Sequence, residues 1–188
     1  MREIFRRKQL RLKWYDYSNE WLYFITICIN KNLCLLGDIT GDIHHIFESW
    51  KMIETYWLEL EQEYQNIELH EYIVMPNHFH GIIEISWSHE QCDCKVCRGA
   101  PCGYPEEVIC PYNKQTLWNI IWSFKSKTTN KYIKNVQNNN WEPFYKKLWQ
   151  RNYYEHIIRD ESGYLKISQY IRDNSKNWKT DKLYITQV

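Results

Sequence analysis

The sequence predicts an α+β fold, an antiparallel sheet with helices packed on it, and three features carry that prediction. Residues Trp21 to Ile29 are almost all aromatic, β-branched or apolar, the pattern of a strand buried on both faces. Two further β-rich runs, Glu68 to Met75 and His78 to Ile85, flank Pro76-Asn77 and read as an antiparallel hairpin. Elsewhere apolar residues recur at steps of three and four, as they do on helices that cover a sheet.

In chain order, the strand from Trp21 comes first. Ile43, Ile46, Trp50, Ile53, Trp57, Leu60 and Tyr64 then form one stripe, predicting a helix over 43–64. The hairpin follows. Residues 87–113 hold five of the seven Cys and three of the five Pro without sustained periodicity, and so read as a long inserted loop. A helix resumes with Leu117, Ile121, Phe124 and Thr128 on one face and is broken by Asn138-Asn139-Asn140. A strand from Tyr153 to Ile158 leads to Asp160, a good N-cap, and to a last helix with Tyr164, Ile167 and Ile171 on its apolar face. The order β-α-β-β-α-β-α suits a ferredoxin-like sheet.

At 188 residues and 44% hydrophobic, the chain is long enough for one sizeable core and short for two, so a single domain over 1–188 is expected. A net charge of +1 makes no overall case for a nucleic-acid partner, so any basic surface must be local. Two stretches qualify: the N-terminus, with Arg6 and Arg7 among its cations, and the helix bearing Lys125, Lys127 and Lys131. Each reads either as phosphate contacts or as a solvated face. No apolar run approaches the roughly 20 residues that span a bilayer, and the first residues lack a signal-peptide stretch. The expectation is a cytoplasmic protein with no membrane partner, whose Cys are reduced thiols or metal ligands.

The chemistry concentrates in two places. In His78-Phe79-His80 the period of two points both imidazoles to one face of a strand, so they are either two ligands converging on a metal or two half-buried histidines. On the last helix Tyr170 and Asn174 are four residues apart, about 400° of rotation, and share a face one turn apart. Tyr170 reads as a nucleophile or as a core aromatic, and Asn174 as an oxygen ligand or a helix cap. Two imidazoles, an amide oxygen and open positions for water or phosphate oxygens would suit Mg²⁺ or Mn²⁺.

Four motifs in order resemble one family. Asp16-Tyr17 with Trp21-Leu22-Tyr23-Phe24-Ile25-Thr26-Ile27-Cys28, then Val74-Met75-Pro76-Asn77-His78-Phe79-His80-Gly81, are followed by Ser123-Phe124-Lys125-Ser126-Lys127-Thr128-Thr129. The series closes with Trp149 to Arg159 and Tyr170-Ile171-Arg172-Asp173-Asn174. Together they resemble the REP-associated tyrosine transposases, relatives of the single-tyrosine HUH transposases of small bacterial insertion sequences. Ser175 departs from the family, which usually has Pro after the Asn, and the loss should relax the helix end.

The resemblance implies the HUH nuclease fold, His78, His80 and Asn174 as metal ligands, and Tyr170 as nucleophile. It further implies cleavage and strand transfer of single-stranded DNA at hairpin-bearing repetitive palindromic elements through a 5′-phosphotyrosine. Arg6, Arg7, Lys125, Lys127, Lys131 and Arg151 are candidate DNA contacts, and the chain is expected to act as a monomer or homodimer. A domesticated hairpin-binding protein that no longer cuts is the rival reading. Cys92, Cys94 and Cys97, in the inserted loop, are read either as zinc ligands or as reduced thiols.

Overall fold

The computed structural model describes residues 21–40, 43–86 and 116–184. Arg6, Arg7 and the Cys-rich segment 87–113, with its zinc reading at Cys92, Cys94 and Cys97, lie outside them.

Six strands and four helices are described: β1 (Trp21–Cys28), β2 (Gly37–Thr40), β3 (Ile43–Ile46), α1 (Glu48–Leu58), α2 (Leu60–Glu63), β4 (Ile67–Val74), β5 (His78–Ile85), α3 (Leu117–Asn138), β6 (Tyr154–Ile158) and α4 (Glu161–Asp173). The main sheet runs β4-β5-β1-β6, antiparallel throughout, which is the ferredoxin-like order. β2 and β3 pair separately as a two-stranded antiparallel sheet.

The helix expected over 43–64 is corrected. Ile43 to Ile46 form β3, paired with Gly37–Thr40, and helix begins only at Glu48. Two β-branched residues three apart mimic a helical step, but in so short a run the available strand partner decides. Ile53, Trp57 and Leu60 are buried as the stripe requires, while Tyr64 lies just past α2. β2 (Gly37–Thr40) is a strand that the sequence pattern does not predict, and the other elements fall within two residues of expectation. Asp160 caps α4 by accepting from Gly163 N at 2.6 Å, and α3 ends at Asn138.

Alternation along the central strands divides the sheet into two faces. On one, Tyr23, Ile25, Ile27, Phe79, Ile83 and Ile85 pack with α1 and α3 through Trp57, Ile121 and Phe124. Trp57, Phe79 and Phe124 form its aromatic centre, with ring separations from 4.7 to 5.7 Å. On the other face, Ile82 and Ile158 pack beneath Ile171 of α4, with Phe24 and Tyr164 beside them. Cys28, a buried thiol, stands opposite His78 in register, at one end of β1.

Gly81 shows how tightly the first face is filled. A Cβ at this position would stand 2.8 Å from Cζ2 of Trp57 and 2.9 Å from Cε1 of Phe79, and neither ring has solvent to move into. Gly81→Ala is therefore expected to cost about 1–3 kcal/mol of stability in urea denaturation, the range for overfilling a packed core.

β4 contains an extra residue. Leu69 pairs with Ile83 but Tyr72 with Gly81, so three steps on β4 match two on β5. Leu69 and Tyr72 both pack toward the first core, and this bulge turns two consecutive side chains, His70 and Glu71, toward α4.

Candidate metal and nucleophile site

His78 and His80 project from β5 on the α4 face, with ring centroids 4.5 Å apart. Both are buried, at 0% and 3% exposure. The turn before β5 is held from outside: Ile29 N donates to the Asn77 carbonyl at 2.8 Å and Leu36 N to that of Pro76 at 3.0 Å.

Hydrogen bonding fixes the protonation of His78. Asn77 Nδ2 donates to the carbonyls of Leu183 at 2.8 Å and Asn32 at 3.3 Å, so its Oδ1 is the atom facing His78 Nδ1 at 2.7 Å. An amide oxygen only accepts, so Nδ1 carries the hydrogen and the neutral ring presents a bare lone pair at Nε2. Burial pushes the His78 pKa down to about 3, against a weaker upward pull from Asn174, which keeps the ring neutral. His80 is held similarly, its Nδ1 lying 2.8 Å from Oγ1 of Thr26, its register partner on β1. Burial, then neighbouring His78, lowers its pKa to about 3, with Asp181 opposing.

Helix α4 brings up the other half. Tyr170 hydroxyl lies 3.4 Å from His80 Nε2, and its ring stands edge-on to Phe24, which stacks on His80 at 5.2 Å. Tyr170 is 46% exposed, open to a large substrate, whereas Asn174 is 2% exposed. Burial, then the charge of Asp181, raises the Tyr170 pKa, so the resting phenol is protonated.

Of the buried side-chain atoms that lack a hydrogen-bond partner among the described residues, two belong to this site, His78 Nε2 and Asn174 Oδ1. Leaving a buried acceptor unmet costs about 1–3 kcal/mol, so a pair of them at one place marks a site built for something else. Two imidazole nitrogens and an amide oxygen are a donor set that fits a divalent cation.

Docking of α4 runs through the bulge. Glu71 Oε2 accepts from Tyr164 hydroxyl at 2.9 Å and Ser168 Oγ at 3.1 Å, while its Oε1 pairs with Arg172 at 2.8 Å. These contacts come from residues two to six positions from Tyr170 on the same helix and set its rotation. Glu71→Ala should remove about 1–2 kcal/mol, since Arg172 is half exposed and most of the loss comes from the two hydroxyls. Urea denaturation checks this.

The proposed DNA contacts divide in space. Lys125 is committed to the chain: Nζ donates to the carbonyls of Gln150 at 2.6 Å and Arg151 at 3.2 Å, and burial lowers its pKa to about 8. Lys127 pairs with Glu63, and Lys131 is exposed, both on α3 across the sheet from Tyr170. Arg151 is exposed where the chain passes the end of β1, next to Gln150, whose N donates to the Cys28 carbonyl.

Sequence reasoning missed Glu71 and Asp181 as site residues, and noted Thr26 and Asn77 only as parts of motifs. Thr26 and His80 are signalled by strand alternation once their register is known. Nothing local signals Asp181, which reaches the histidines through a 3-10 turn at Trp178–Thr180.

No protein-family model matches the chain. An uncharacterized protein of Haemophilus influenzae is 36% identical over 187 residues, spanning 97% of this chain and 95% of its own length. The two belong to one family. Among solved structures, a REP-associated tyrosine transposase bound to a REP hairpin superposes with a TM-score of 0.54 at 16% identity, over 89% of this chain and 74% of its own. This chain thus shares the fold of that protein. A transposase candidate from Deinococcus radiodurans aligns more loosely, at 14% identity and a TM-score of 0.45, over 87% of this chain and 95% of its own.

Proposed function

We propose that this protein is a metal-dependent nuclease and strand transferase of the single-tyrosine HUH transposase family, acting on single-stranded DNA beside hairpins. The observation that carries the reading is the pair of unmet acceptors, His78 Nε2 and Asn174 Oδ1, beside the half-exposed Tyr170, whose hydroxyl reaches His80. The four sequence motifs and the shared fold support it, and the transposase of that fold is bound to a REP hairpin.

His78, His80 and Asn174 hold the cation, Mg²⁺ or Mn²⁺. When bound, it neutralises charge that builds on the oxygens of the scissile phosphate. Asn77 and Thr26 occupy each Nδ1, which leaves the two Nε2 atoms as the nitrogens that would hold the cation. Tyr170 attacks phosphorus: a bond forms from its oxygen to phosphorus, the bond from phosphorus to the 3′ oxygen breaks, the phenol loses its proton and the 3′ oxygen gains one. The 5′-phosphotyrosine conserves the bond energy, so an incoming 3′-OH reverses the step without ATP. Arg151 serves DNA beside the cleavage site, whereas Lys131 contacts a portion carried around the sheet.

The test is incubation of the protein with end-labelled hairpin-bearing single strands and Mn²⁺, followed by a denaturing gel. A label that stays with the protein supports the proposal. Cleaved DNA with no adduct would indicate hydrolysis, and binding without cleavage a hairpin reader; either result overturns it.

A further inference from the structure

Beyond the expected ligands, a carboxylate reaches the same place. Asp181 follows the 3-10 turn after α4, and one of its oxygens lies with nitrogens of His78 and His80 in a group whose members are all within 4.8 Å of one another. Ligands on opposite sides of an octahedral Mg²⁺ or Mn²⁺ stand about 4.2 Å apart, so one ion fits among the three with small adjustments.

The segment carrying Asp181 is built into the site. Trp178 is 3% exposed, packs with Ile39 and Met75, and stands 5.9 Å from the ring of His78. Tyr184 closes on Trp178 at 5.3 Å, and Asn77, which orients His78, donates to the Leu183 carbonyl on the same segment. The second sheet acquires a purpose here: Ile39 of β2 helps seat Trp178. Asp181 Oδ1 accepts from Leu183 N at 2.6 Å, which fixes the carboxylate in the turn while leaving acceptor capacity on both oxygens.

We propose that Asp181 is an additional, anionic ligand of the cation held by His78, His80 and Asn174. This rests on the metal-site reading above. The other ligands are neutral, so Asp181 supplies the charge that draws a divalent cation into a buried place. It also makes the segment after α4 part of the metal site, with the cation joining that segment to strand β5.

Binding of Mn²⁺ by the full chain without DNA, followed by calorimetry and by the loss of the free-ion electron paramagnetic resonance signal, tests the assignment. Asp181→Asn keeps an oxygen for Leu183 N and removes the charge, whereas Asp181→Ala removes both. Both variants should bind Mn²⁺ at least tenfold more weakly than wild type. If Asp181→Asn binds like wild type while His78→Ala does not, Asp181 is no ligand and the rest of the site stands. A defect confined to Asp181→Ala would assign the residue to the turn alone and overturn the proposal. Failure of the wild-type protein to bind Mn²⁺ would overturn the metal-site reading itself.

Discussion

Tyr170→Phe should eliminate the covalent protein–DNA adduct and lower single-turnover cleavage by about four orders of magnitude or more, the scale seen when a nucleophile is removed from an otherwise complete site. The substitution deletes one oxygen. The ring keeps its edge contact with Phe24 and its place beside His80, and the lost contact to His80 Nε2 is long at 3.4 Å and part-buried. The melting temperature should therefore stay within about 2 °C of wild type, and affinity for a labelled hairpin should not change. Tyr153 and Tyr154 are the alternative phenols: Tyr153 is buried, and Tyr154 is an exposed β6 residue paired in register with Thr26. An adduct that survives Tyr170→Phe would move the nucleophile elsewhere.

Asn174→Leu should separate stability from function. Asn174 Oδ1 is buried and unmet without a cation, and Leu is similar in size with no polar atom. Removing an orphaned acceptor restores about 1 kcal/mol, so the metal-free variant should melt about 2–4 °C above wild type. The same change deletes a cation ligand. Mn²⁺ should raise the melting temperature of the wild-type protein by clearly more than that of the variant, and cleavage should fall at least a hundredfold. A metal-free melting temperature well below wild type would mean that the Asn174 amide is structurally engaged.

Much of the fold was legible because its strands bury their side chains in regular alternation. His78-Phe79-His80 declares its geometry in three residues: the histidines share a face and the Phe takes the other. Tyr170 and Asn174 declare theirs by helical spacing. What stayed hidden depends on partners distant in sequence. Ile43 and Ile46 carry a helical spacing yet lie in a strand because Gly37–Thr40 is available to pair. Asp181 meets His78 across more than a hundred residues. Lys125 looked like a surface cation, and its commitment to the carbonyls at 150 and 151 depends on where the chain passes the end of β1.

The bulge in β4 bears on which changes of length the chain can survive. β4 is an edge strand, and bulges are common at sheet edges, where one side of the ladder is unpaired. In β4 the extra residue places both His70 and Glu71 against α4, the helix that carries Tyr170. Deleting either would make the ladder regular and leave one anchor where two now stand, altering how the tyrosine is presented without touching the site itself. In this family, the interval from Leu69 to His78 should be inherited as a fixed length even where its residues drift.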